Sequence, residues 1–85
     1  MKMTKKPTLI LYTRHGCHLC EKAKEVISAL QGEFDFDYHE CDIELKDEWT
    51  EKYGLMIPVV MINEEEVQYG RIDKTLLYKA LTEIN

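Results

Sequence analysis

The sequence predicts an α/β fold in which a four-stranded mixed sheet is flanked by helices, and three observations predict it. A nearly continuous apolar run at 8–13 leads into helical periodicity ending near Gly32 and then into an alternating aromatic run, which together make a β-α-β unit. A β-branched run at 59–62 followed by a polar turn and a second short apolar stretch reads as a hairpin. A parallel pair extended by a hairpin must include a strand that reverses direction, and this makes the sheet mixed.

The elements follow in order. Thr8 to Thr13 reads Thr-Leu-Ile-Leu-Tyr-Thr, the composition of a strand buried on both faces. Gly16 interrupts it. From Leu19 onward Cys20, Ala23, Val26, Ile27 and Leu30 recur three or four apart, with Glu21, Lys22, Lys24 and Glu25 between them, as in an amphipathic helix. Phe34, Phe36 and Tyr38 alternate with Asp35, Asp37 and His39, which predicts a second strand over 34–40. Leu45, Trp49 and Tyr53, four apart, predict a short helix that Trp49 and Tyr53 anchor to the sheet, with Gly54 as its left-handed stop. Pro58 opens the third strand, Val59-Val60-Met61-Ile62, and Met56 and Met61 fill core space beside it. Asn63 and Glu64 turn the chain into a fourth strand at 67–69. Asp73 is then the N-cap of a last helix whose apolar face is Ile72, Leu76, Leu77, Ala80, Leu81 and Ile84.

At 85 residues the chain is expected to form one domain over 1–85, with 1–7 a flexible tail. The net charge of -5 and the acidic run at 33–51 argue against a nucleic-acid partner, because phosphate binding needs clustered Lys and Arg. That run reads instead as a solvated face. No apolar stretch precedes Pro7, so neither a secretory signal nor a membrane span is expected, and the expected location is the cytoplasm. Three cysteines do not make a secreted disulfide framework, whereas a CxxC pair within a β-α-β unit reads as a redox motif. A monomer is expected.

The chemistry is concentrated in Arg14-His15-Gly16-Cys17-His18-Leu19-Cys20, where a buried strand gives way to a helix. Unpaired backbone N–H groups and the helix dipole favour negative charge on a thiol at such a junction. Arg14 adds permanent positive charge, and His15 and His18 add it when protonated. Cys17 is therefore expected to be the nucleophile. Cys20, one turn deeper on the same helix, is the expected resolving thiol. In the implied exchange Cys17 attacks a substrate disulfide and Cys20 releases the mixed disulfide, leaving a Cys17-Cys20 disulfide for an external thiol reductant. No other cofactor and no metal are expected. Cys41 reads as a small apolar side chain without a role.

At these residues the chain resembles the glutaredoxin branch of the thioredoxin fold, particularly glutaredoxin-like proteins with a variable CxxC interior. The resemblance runs from Thr8 onward, and its second telling element is the Ile57-Pro58 step. It implies a thiol-disulfide oxidoreductase acting on protein or low-molecular-weight disulfides, with glutathione or a similar thiol as a candidate partner. It also implies that Pro58 is cis and faces the cysteine pair, and that Ile57 binds extended substrate through its backbone. Arg14 matches the basic residue three before the first cysteine. His18, Tyr69, Gly70 and Arg71 complete the candidate substrate-binding set, Arg71 as a partner for a carboxylate.

Two segments depart from the family pattern. Cys17-His18-Leu19-Cys20 stands where glutaredoxins carry Cys-Pro-Tyr-Cys, and Gln68-Tyr69-Gly70-Arg71-Ile72-Asp73 stands where they carry a Gly-Gly-x-Asp-Asp turn. Glutathione is thus expected to be a poorer partner than for typical glutaredoxins. The competing reading is a metal or iron-sulfur binding module using Cys17 and Cys20, with His15, His18, His39 and Cys41 as further potential ligands.

Overall fold

The structure, a computed structural model, describes residues 6–84. Burial alternates along β1 (Thr8–Thr13): Leu9, Leu11 and Thr13 are buried, while Thr8, Ile10 and Tyr12 are half-buried. The second face is less covered than the apolar run predicted, because a short helix and the 3-10 turn before it pack on it in place of two long helices. Across the first face lie α1 (His18–Gln31), through Ala23, Ile27 and Leu30, and α3 (Lys74–Ile84), through Leu77 and Leu81. On the second face Tyr12 stacks on Tyr53 of α2 (Asp47–Tyr53) at 4.3 Å and meets Trp49 edge-on at 5.5 Å. Trp49 and Tyr53 thus anchor α2 to the sheet, and Met56 and Met61 pack beside them.

The sheet order is β2-β1-β3-β4, with β2 (Asp37–Asp42), β3 (Val59–Ile62) and β4 (Glu65–Tyr69). β1 pairs parallel with β2, and β1–β3 and β3–β4 are antiparallel. Tyr69, Val59, Tyr12 and Cys41 therefore form one row across the sheet. The residues just beyond that row, namely the loop after Thr13, Ile57-Pro58 and Gly70, share one end of the molecule. Gly70 N–H closes this end by donating to the carbonyls of Met56 at 3.0 Å and Pro58 at 2.8 Å.

Several boundaries differ from the sequence reading. β2 starts at Asp37 because the end of α1 consumes the preceding residues: the N–H groups of Gly32, Glu33 and Phe34 donate back to Ala29 and Leu30. Phe34 instead meets Tyr78 edge-on at 5.1 Å, and Phe36 enters the core. Leu45 ends a 3-10 turn, Ile43–Leu45, and is 76% exposed, while Ile43 is the buried residue there. Extended Lys46, at φ -140°, separates that turn from α2, so the four-residue spacing from Leu45 did not mark one helix. Gly54 is right-handed at φ -55°, not left-handed; a Cβ there would sit 2.5 Å from the Thr50 carbonyl oxygen.

β4 begins two residues before the expected 67–69, after a turn in which Asn63 and Glu64 both have positive φ. Asp73 caps α3 as expected, its Oδ1 accepting the Leu76 N–H at 3.1 Å. Leu76 itself is exposed, because the buried stripe of α3 narrows to Leu77 and Leu81. The Ile84 side chain, and residues 1–5 of the expected tail, lie outside the described residues. Lys6 reaches Asp35 at 3.3 Å, and buried Pro7 accepts the Asp37 N–H at 2.9 Å.

Candidate functional site

After β1 the chain turns through Gly16, whose φ of +78° is a left-handed value that glycine adopts without strain. The turn delivers Cys17 to the N-cap of α1 in extended geometry, φ -90° and ψ 117°. Its Sγ accepts the Cys20 N–H at 3.2 Å, while its carbonyl accepts the Glu21 N–H at 3.1 Å. Cys17 therefore performs the task usually given to a Ser or Asp side chain: its sulfur satisfies an otherwise unpaired N–H of the first turn. Sequence periodicity placed Cys17 at the helix start but gave no sign that it was its own cap. Cys17 is half-buried, Cys20 is 0% exposed, and both are free thiols.

Burial pushes the Cys20 thiol above its ordinary pKa, and its neighbour Cys17 adds to the rise. The Thr13 side chain and the Arg14 backbone oppose it. Burial also raises the half-buried Cys41 thiol, against the nearby charge of Lys46. Cys41 lies beside Tyr12 in the sheet register. Among the described residues no group of three or more His, Cys, Asp or Glu is arranged to hold a metal ion.

The expected substrate-binding residues divide between two flanks. His18 and Arg71 line one cavity of about 360 Å³, together with Leu19 and Lys22, which the sequence reading had not assigned to substrate. Arg14 lines a second cavity of about 250 Å³ beside His15, Glu21 and Lys24. Arg14 and Arg71 thus serve different cavities. The Ile57-Pro58 bond is cis, as the resemblance implied. Ile57 N–H donates to the Tyr53 carbonyl at 3.1 Å, so that donor is already engaged.

Tyr69 is exposed at the end of β4, and Gly70 follows it with a φ of +77°. Gln68 does not project freely toward a ligand: its amide brackets Asp73, accepting the Asp73 N–H at 2.7 Å and donating to the Asp73 carbonyl at 3.1 Å. Exposed apolar side chains at Leu19, Leu55 and Tyr69 belong to the CxxC segment, the loop before Ile57 and the end of β4. Among the described residues no helix is long and apolar enough to cross a membrane.

Comparison with known proteins agrees with this geometry. A family model described as "Glutaredoxin-like domain (DUF836)" matches residues 8–82. The Dictyostelium discoideum "Glutaredoxin-like protein YDR286C homolog" is 35% identical over 79 residues, covering 86% of this chain and 73% of that protein. Among solved structures, protein Ne2328 from Nitrosomonas europaea superposes with a TM-score of 0.80 at 24% identity, over 95% of this chain and 98% of that one. A thioredoxin from Halobacterium salinarum gives a TM-score of 0.72 at 18% identity, over 93% and 74% of the two chains, and so shares the fold. With a family match over nearly its whole length and a cysteine pair at the head of α1, this chain belongs to the glutaredoxin-like domain (DUF836) family and has the thioredoxin-like fold.

Proposed function

We propose that this protein is a cytoplasmic thiol-disulfide oxidoreductase that reduces disulfides through Cys17 and Cys20. The observation that carries the reading is the asymmetry of the pair: a half-buried cysteine at the helix cap and a fully buried one a turn below, joined by the 3.2 Å contact from the Cys20 N–H to the Cys17 sulfur. In the first step the Cys17 thiolate attacks a substrate disulfide, forming a mixed disulfide and expelling one substrate thiolate. In the second step deprotonated Cys20 attacks Cys17 Sγ, the Cys17–substrate bond breaks, and the second substrate sulfur leaves. The order of events follows from accessibility: burial, with Cys17 adding to it, holds the Cys20 pKa up, so the half-buried Cys17 meets substrate first.

Protein and small disulfides are the proposed substrates, with glutathione a poorer partner. The exposed apolar residues Leu19, Leu55 and Tyr69 suit a polypeptide more than a small charged thiol. An extended substrate that pairs at Ile57 would use its carbonyl or replace the bond from Ile57 N–H to Tyr53. The test compares turnover of a glutathione mixed disulfide with reduction of a protein disulfide under matched reductants. A strong preference for the glutathione adduct, lost on replacing Arg14 or Arg71, would overturn the substrate assignment. One zinc per chain that is lost in Cys17→Ser would replace the redox reading with the metal module.

A further inference from the structure

The face of β1 that meets α1 carries Leu9, Leu11 and Thr13 at a spacing of two, and the stripe opposite is Cys20, Ala23, Ile27 and Leu30. Both rows are apolar until their ends. There Thr13, 7% exposed, buries a hydroxyl that has no hydrogen-bond partner, the single such side-chain atom among the described residues. A valine would occupy nearly the same volume without an unpaired polar atom, so packing alone does not explain a threonine here. Thr13 ends its row where fully buried Cys20 begins the α1 stripe, and while burial raises the Cys20 pKa, the Thr13 hydroxyl and the Arg14 backbone act to lower it. A neutral thiol is a weak acceptor and leaves such donors nearly idle, whereas a thiolate accepts strongly.

We infer that Thr13 is a further catalytic residue, whose hydroxyl joins the Arg14 backbone N–H in holding the Cys20 thiolate as it resolves the mixed disulfide. The inference rests on the dithiol reading above and adds a part to it. In the step concerned Cys20 loses its proton to solvent, and its electron pair forms the bond to Cys17 Sγ. The Cys17–substrate bond breaks, its electron pair leaves on the substrate sulfur, and that sulfur takes a proton from solvent. The dithiol is oxidised and the substrate reduced. Thr13 keeps its proton throughout and donates a hydrogen bond only while Cys20 is charged. The cavity beside Thr13 is lined by Arg14, His15, Glu21, Lys24, Glu40 and Asp42, yet the titratable group that acts on Cys20 is Cys17.

The test uses the full chain with Cys41→Ser and the aryl disulfide dithiobisnitrobenzoate. Attack by Cys17 releases one coloured thiolate, and resolution by Cys20 releases a second. Thr13→Val should leave the first release unchanged and move the pH midpoint of the second upward by about one unit, as loss of one hydrogen bond to a charged group implies. Below the midpoint, a roughly tenfold smaller thiolate fraction is partly offset by an approximately threefold more nucleophilic thiolate, so the second release slows about threefold. Above the midpoint the variant should be the faster one, and the two profiles cross. Thr13→Ser should restore the parent profile.

A thiolate absorbance titration in Cys17→Ser/Cys41→Ser must show the same upward shift with Thr13→Val. This readout does not depend on exchange activity, and Thr13→Ala serves the same comparison should the valine variant misfold. Superimposed profiles, or a uniform slowing that serine does not rescue, would overturn the role of Thr13 while leaving the dithiol reading intact. A parent that releases no second thiolate at any pH would overturn the dithiol reading and this inference with it.

Discussion

Cys17 is half-buried with its sulfur engaged by the Cys20 N–H, whereas Cys20 has no exposed surface. An alkylating reagent at neutral pH should therefore modify Cys17 well before Cys20, and mass mapping of the labelled peptides gives the order. Equal labelling would contradict the assigned roles. Cys17→Ser should abolish disulfide reduction, Cys20→Ser should accumulate mixed disulfides with substrate, and Cys41→Ser should change little, each read by a reductase assay and non-reducing gels. The sequence made the placement of the two thiols legible because a CxxC between a buried strand and an amphipathic helix sets one thiol at the helix start and the other a turn deeper. It did not reveal the capping role of Cys17, the grip of Gln68 on Asp73, or the unpaired Thr13 hydroxyl. Each of these depends on a side-chain direction that no spacing rule encodes.

Among the elements, those with a strong single pattern were the ones sequence located well. β1 and β3 carry nearly continuous apolar runs, and α1 carries a stripe of Cys20, Ala23, Ile27 and Leu30 that is buried throughout. Ile27→Ala in the middle of that stripe should cost about 2–5 kcal/mol, measured by denaturant unfolding, because it opens a cavity between α1 and the sheet. Asp73→Ala should cost roughly 1 kcal/mol by removing the acceptor of the Leu76 N–H, and Asp73→Asn should recover most of it. The weakly patterned elements were misplaced for local reasons. The aromatic alternation at Phe34 and Phe36 belongs to core contacts made after α1 ends, not to strand pairing, and Leu45 precedes a break at Lys46. In both cases a hydrogen-bonded turn overrode the apolar period.

Across the whole molecule, burial is the leading cause that raises the pKa of Cys20, Cys41, Tyr12 and Tyr38, with Glu40 adding to the rise at Tyr38. The folded state then holds protons on these groups that the unfolded chain has already released, so stability is full below the ordinary thiol pKa of roughly 8.5 and falls as pH rises through the folded values. Urea unfolding should show a midpoint that declines steadily on the alkaline side, and a flat profile there would contradict the burial of these groups. The topology was legible at this scale because a β-α-β unit followed by a hairpin admits few arrangements, and the order β2-β1-β3-β4 is the one found. The separation of the two arginines was not legible, since only the folded chain shows that Arg14 and Arg71 line different cavities. The central claim is that Cys17 and Cys20 act as one reversible dithiol. Its most direct test incubates the reduced protein with an equimolar protein disulfide and quantifies, by peptide mass mapping, the Cys17-Cys20 disulfide formed against the substrate thiols released. The account predicts one internal disulfide for each substrate disulfide reduced, with no product from Cys17→Ser; substrate reduction without that disulfide, or undiminished reduction by Cys17→Ser, would contradict it.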